Sequence, residues 1–193
     1  MPDAARTIPA PLRTDDPRDQ AHASLRRGTA FLRGQARHAW LDRPWDERET
    51  PLRARVVANW IGELDRLLHV LLDSAALYSG RSATARQRNT ANKLAALCTE
   101  AAWSAPRLDG LARARATFRY TQGAARRADV RGGSHMTVGW TGPCGALRRF
   151  RIGERIEMGS AALIEVCDLY DELAAQVVRA PLAGGKEHGH QGI

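Results

Sequence analysis

Four polar residues in the stretch RARATFRYTQGAARR are spaced to share one line along a helix. Arg115, Arg119, Gln122 and Arg126 fall within about 60° of one another at about 100° per residue. Leu108, Leu111, Ala112 and Phe118 lie on or beside the same line, so an apolar face runs into a row of guanidinium groups. An arginine on a core-directed face must meet a carboxylate, carbonyls, water or a bound anion. Two arrangements satisfy that requirement. In one, Glu165, Asp168 and Glu172, carried on one face of a later helix, answer the arginines inside the protein. In the other, the row and the adjacent Arg127 line a groove for a phosphate backbone, with Phe118, Tyr120, His135 and Trp140 as stacking groups.

The placement of charge bears on that choice. Of 29 basic residues, 27 are arginine, the exceptions being Lys93 and Lys186. Residues 1–80 carry 12 basic and 11 acidic groups, and residues 132–193 carry 6 and 7. Residues 81–131 carry 11 and 3, so the formal net charge of +8 arises in that segment. Codon bias enriches arginine evenly along a chain, and this enrichment is not even. A concentrated basic region suits phosphate-bearing partners through counterion release. It equally suits a solvated face, or one answered by acids elsewhere.

These residues need a scaffold, and the longest periodic element is Pro51–Ser79. Val57, Trp60, Ile61, Leu64, Leu67, Leu68, Leu71, Ala75 and Tyr78 recur at steps of three and four. Thr50 is placed to cap this helix, Pro51 to open it and Gly80 to follow its end. At 1.5 Å per residue it is about 43 Å long, and so broad an apolar stripe requires other helices to cover it. Asp16–Pro17 opens an earlier helix to Trp40. A third is expected over Ser82–Trp103, a fourth over Arg107–Ala128, and a last over Ala161–Arg179 behind a Ser160 cap. Between the last two, VRGGSHMTVGW and ALRRFRI, split by TGPCG, read as two strands of a hairpin. The expected architecture is mainly α, a five-helix bundle with a short β-hairpin before the last helix. Residues 1–15 and 182–193 read as disordered ends of one domain spanning 16–181.

Other chemistry is sparse. Cys98, Cys144 and Cys167 lack CxxC spacing, and Cys98 and Cys167 sit among helical core positions, as small hydrophobes do. His69 lies between leucines as a core or boundary histidine, and His188-x-His190 is weak evidence for a metal. Ser134 beside His135 lacks an orienting acid. Trp60 and Trp103 read as core, while Trp45 and Trp140 are placed where they pack or stack on a partner. No Walker loop, GxGxxG, GxSxG or HExxH is present, so no metal and no cofactor is expected. No stretch approaches the ~18 uninterrupted apolar residues of a membrane span. The N-terminal residues lack the apolar core of a signal peptide, and a cytoplasmic location is the expectation.

The order of elements resembles the HEPN helical-bundle domains: several helices, an arginine on the core face of the penultimate one, a short β element, then a closing helix. Many members are metal-independent ribonucleases or nucleic-acid-associated toxins, using an arginine and a histidine four to six residues apart, usually completed by dimerisation. Here the corresponding place reads Arg115-Ala-Thr-Phe-Arg-Tyr120, with alanine and tyrosine in place of the polar residue and the histidine. The spacing recurs at Arg33-Gly-Gln-Ala-Arg-His38 in the first helix. The resemblance covers roughly residues 17–180 and implies a non-catalytic member. A non-catalytic binding module whose basic fourth helix and hairpin contact RNA, DNA or another polyanion, able to form a homodimer, is the leading expectation. A ribonuclease using Arg33 and His38, or a variant at Arg115 and Tyr120, is one alternative. A protein-interaction domain with internally paired arginines is the other.

Overall fold

The computed structural model describes residues 16–81, 84 and 86–180. The expected disordered ends and the His188–His190 pair lie outside the described residues, as does Ser82, the expected start of the third helix. Among the described residues there are five α-helices and one antiparallel hairpin: α1 (Pro17–Ala36), α2 (Thr50–Tyr78), α3 (Thr90–Leu97), α4 (Ala105–Thr121), β1 (His135–Thr141), β2 (Leu147–Arg151) and α5 (Ser160–Arg179). Short 3-10 turns occupy Ala39–Leu41 and Thr99–Ser104.

α2 is the spine, packing against α1, α3, α4 and α5. Its buried stripe is Val57, Ile61, Leu64, Leu68, Leu71 and Ala75, with Leu67 and Trp60 half-buried at the margins. Tyr78, expected at the end of the stripe, is exposed, and the Arg18 guanidinium lies 3.9 Å from its ring centroid. Gly80 closes the helix in the left-handed region at φ 68°. The Arg81 amide donates to the Ala76 carbonyl and the Gly80 amide to that of Leu77, the paired bonds of a Schellman end. α1 crosses α2 closely at Gly28, where a β-carbon would stand 2.7 Å from Leu67 Cδ1.

Several expected boundaries shift. α1 stops at Ala36, four residues before Trp40, and Thr50 lies inside α2 rather than capping it. The Asp16 carboxylate does accept the Arg18 amide at 2.9 Å, as its position predicts. The third helix breaks at Cys98, whose φ −140° and ψ 94° are extended, leaving α3 eight residues long. Trp103 follows that break onto the surface and is 44% exposed, not core. Gly159 rather than Ser160 is the cap residue of α5. The capping acceptor comes from 118 positions away: Asp42 Oδ1 takes the Ser160 amide at 2.8 Å. A β-carbon on Gly159 would stand 2.9 Å from that oxygen, so the missing side chain makes room for a carboxylate at the helix N-terminus.

The largest departure is in α4, which ends at Thr121 and not at Ala128. Gln122 adopts φ 52° and Gly123 φ 90°. Residues 123–125 then pair with 153–156 about an isolated antiparallel bridge at Ala124 and Arg155, with Ala125 N–H on the Glu154 carbonyl at 2.8 Å and Ile156 N–H on that of Gly123 at 2.7 Å. Those bridge bonds replace further helical turns. Met136 pairs with Phe150 on the core face of the hairpin, while His135 pairs with Arg151, and Thr137 with Arg149, on the other face.

Candidate anion-binding surface

One face of α4 is held tightly against β1. A β-carbon on Gly110 would stand 2.6 Å from the Val138 carbonyl carbon, and one on Gly139 2.4 Å from the Arg107 carbonyl oxygen. Helix and strand therefore touch backbone to backbone. Leu108, Leu111, Ala114 and Phe118 are buried, leaving Pro106, Asp109, Ala112, Ala116, Arg119 and Tyr120 as the exposed strip.

The expected single row of cations is divided. Arg115 lies across Gly62 of α2, where its Cδ would be 3.4 Å from an added β-carbon, and its Nη1 reaches Asp65 Oδ2 at 3.1 Å. The acid that answers it is thus on α2, and not on α5 as its spacing had suggested. Asp65 also accepts the Thr90 hydroxyl at 2.8 Å, tying α3 to the same carboxylate. The buried Tyr170 phenol feels this pair: burial raises its pKa, Asp65 adds to the rise and Arg115 opposes it. The α5 acids serve other partners. Glu165 meets Arg107 at 2.6 Å and the Thr141 amide, while Asp168 and Asp171 meet Arg33 at 2.6 and 2.7 Å.

Two open grooves flank the exposed strip. One, of ≈ 480 Å³, runs between α2 and α4 past Asn59, Glu63, Arg115 and Arg119. The other, of ≈ 360 Å³, lies towards the hairpin, lined by Arg113, Arg126, Arg127 and Asp129. Ala116 and Tyr120 belong to both. Tyr120, 77% exposed, forms the ridge between them, with the Arg119 guanidinium 6.0 Å from its ring centroid. Arg126 and Arg127 reach this surface from the loop after α4, not from the helix on which the row placed them. Among the described residues, Arg119, Arg126 and Arg127 have no carboxylate partner. Gln122 is exposed at the helix end and lines neither groove.

Residues 113–151 hold nine arginines and a single acid, Asp129. That carboxylate accepts the Thr137 amide at 2.9 Å and its hydroxyl at 2.6 Å, and pairs with Arg113 Nε at 3.1 Å. Burial pushes its pKa up, but the Thr137 bonds and the charges of Arg113 and Arg149 outweigh that and hold it below the ordinary carboxylate value. Arg113, Asp129, Arg149 and Arg151 were not singled out from sequence. The alternation in LRRFR, with Phe150 inward, is the signal that puts Arg149 and Arg151 together on the outer face.

Two expected stacking groups are withdrawn from solvent. Trp140 lies within β1 at 1% exposure, parallel to the equally buried Phe118 with ring centroids 6.5 Å apart. Trp45 completes that aromatic stack at 5.9 Å from Phe118. His135 keeps partial exposure, and its Nδ1 lies 2.8 Å from Ser134 Oγ; no carboxylate bonds the ring among the described residues. Cys98 and Cys167 are buried, with burial raising the Cys167 thiol pKa to about 12, whereas Cys144 is exposed at the hairpin loop. Among the described residues no group of three or more His, Cys, Asp or Glu is placed to hold a metal, and no helix is long and apolar enough to cross a membrane.

No family model, no curated protein and no solved structure matches the chain. The HEPN resemblance therefore has no support from comparison, and the geometry of its motif does not add any. The Arg33 guanidinium is taken up by two α5 carboxylates, and His38 sits past the end of α1 as the cap residue of the 3-10 turn.

Proposed function

We propose that this protein is a non-catalytic binding module that holds nucleic acid through its phosphate backbone. The observation that carries the reading is the sorting of arginines. Arg33, Arg107, Arg113 and Arg115 each meet a carboxylate at 2.6–3.1 Å and fasten one element to another. Arg119, Arg126 and Arg127 have no such partner and gather at two adjoining open grooves. Unpaired guanidinium groups in two adjoining concavities raise the local potential and suit bidentate contact with phosphate oxygens.

The test is binding of fluorescently labelled RNA and DNA at two or more salt concentrations. Arg119→Ala, Arg126→Ala and Arg127→Ala together should weaken binding and lower the salt slope by about one unit per lost contact, with thermal stability kept. No binding at low salt, or an unchanged slope in the triple variant, would falsify the reading. Cleavage of the labelled RNA in metal-free buffer would instead favour the ribonuclease alternative.

A further inference from the structure

We propose that the ligand of this surface is a single-stranded nucleic acid, with a base stacked on Tyr120 and the flanking phosphates held in the two arginine grooves. The inference rests on the polyanion reading above and narrows it. The exposed face of α4 offers a duplex few base-reading side chains, since Pro106, Asp109, Ala112 and Ala116 precede Arg119 and Tyr120 on it. A helix that reads the major groove presents three or four hydrogen-bonding side chains to base edges, and the polar side chains on the flanks of α4 are drawn off, Arg113 to Asp129 and Arg115 to Asp65. Ala112 and Ala116 lead along the exposed face up to Tyr120. Small side chains beside an exposed ring leave space for a planar base to lie against its face. The two grooves share Ala116 and Tyr120, so the ring stands where they meet, and the cations stand on either side of it: Arg119 towards α2, Arg126 and Arg127 towards the hairpin. A flexible strand crossing the ridge meets cation, ring and cation in turn. A rigid duplex keeps its bases stacked and offers the ring only its backbone. Stacking on one ring tolerates any base, so the site selects strandedness over sequence.

The experiment compares wild type, Tyr120→Ala and Tyr120→Phe by fluorescence anisotropy. The probes are a labelled 12-nucleotide single-stranded RNA, the matching single-stranded DNA, their duplexes, and an abasic oligomer of the same length. Tyr120→Ala should weaken binding of both base-bearing single strands about 5- to 150-fold, the equivalent of one stacked base. It should leave the abasic oligomer unchanged, and Tyr120→Phe should behave as wild type. The RNA and DNA arms show which sugar the site prefers. Equal loss on the abasic oligomer, duplex binding as tight as single-strand binding, or no effect of Tyr120→Ala would each overturn the stacking proposal. The polyanion reading would survive those results provided that the arginine variants still flattened the salt slope. Failure of every probe to bind would remove both. Tyr120 is largely in water, so its replacement leaves the fold intact and the outcome readable.

Discussion

Arg115 and Asp65 meet across a glycine. The guanidinium reaches over Gly62, and its Nη1 stops 3.1 Å from Asp65 Oδ2, with side chains 39% and 31% exposed. Water still reaches both groups, so the pair ranks with partly screened ion pairs, not buried ones. Arg115→Met should cost only about 0.5–1 kcal/mol in urea denaturation. Asp65→Ala should cost more, about 1–2 kcal/mol, because it also frees the Thr90 hydroxyl that ties α3 to α2. Equal effects would mean that the Thr90 bond contributes nothing.

The spine helix makes a sharper demand. Leu68 is fully buried and Leu67 only partly so. Leu68→Ala should cost about 2–5 kcal/mol through lost burial and a cavity, and Leu67→Ala less. The reverse order in chemical denaturation would show that α2 is rotated from the position described.

Backbone contact between α4 and β1 leaves no room for a methyl group. Gly110→Ala and Gly139→Ala should each destabilise by about 3 kcal/mol, since backbone on both sides must separate. Gly34→Ala, with nothing within 4 Å, is the control and should be neutral or mildly stabilising. Thermal melts of the three variants decide the matter.

Asp129 sets structure against binding. Asp129→Asn removes the sole acid among nine arginines and weakens the ties to Arg113 and Thr137. Stability should fall by about 1 kcal/mol while affinity for a polyanion rises. Unchanged affinity would argue that the ligand avoids this groove.

Acid sensitivity follows from four carboxylates with lowered pKa values, Asp16, Asp42, Glu63 and Asp129. The Ser160 amide depresses the pKa of Asp42, and Asp129 is depressed as described above. A carboxyl with a lowered folded-state value contributes stability above its unfolded value, about 4, and loses it as pH falls through the folded value. Urea midpoints should therefore be flat from pH 7 to 5 and decline below about pH 4. Asp42→Asn should remove part of that decline.

Much of the architecture was legible in the order of residues. The α2 stripe, the Asp16 cap, the Gly80 stop and the strand alternation around Phe150 are local patterns, and local patterns survive any tertiary arrangement. The concentration of arginine around α4 was legible too, as was its need for partners. Which carboxylate answers which arginine was not. Asp65 on α2, rather than Glu165, Asp168 or Glu172 on α5, reaches Arg115, because pairing across 50 residues depends on how two helices cross. The end of α4 belongs to the same class. Helical periodicity carries on to Arg126, but the antiparallel pairing of 123–125 with 153–156 takes over the backbone hydrogen bonds. That one tertiary choice moves Arg126 and Arg127 off the helix and into a groove beside Tyr120. It also accompanies the burial of Trp140, for which the sequence left both core packing and stacking on a partner open. Residue types determined that the chain would be helical and locally basic; only packing decided which cations stayed unpaired, because pairing depends on distances that no linear spacing encodes.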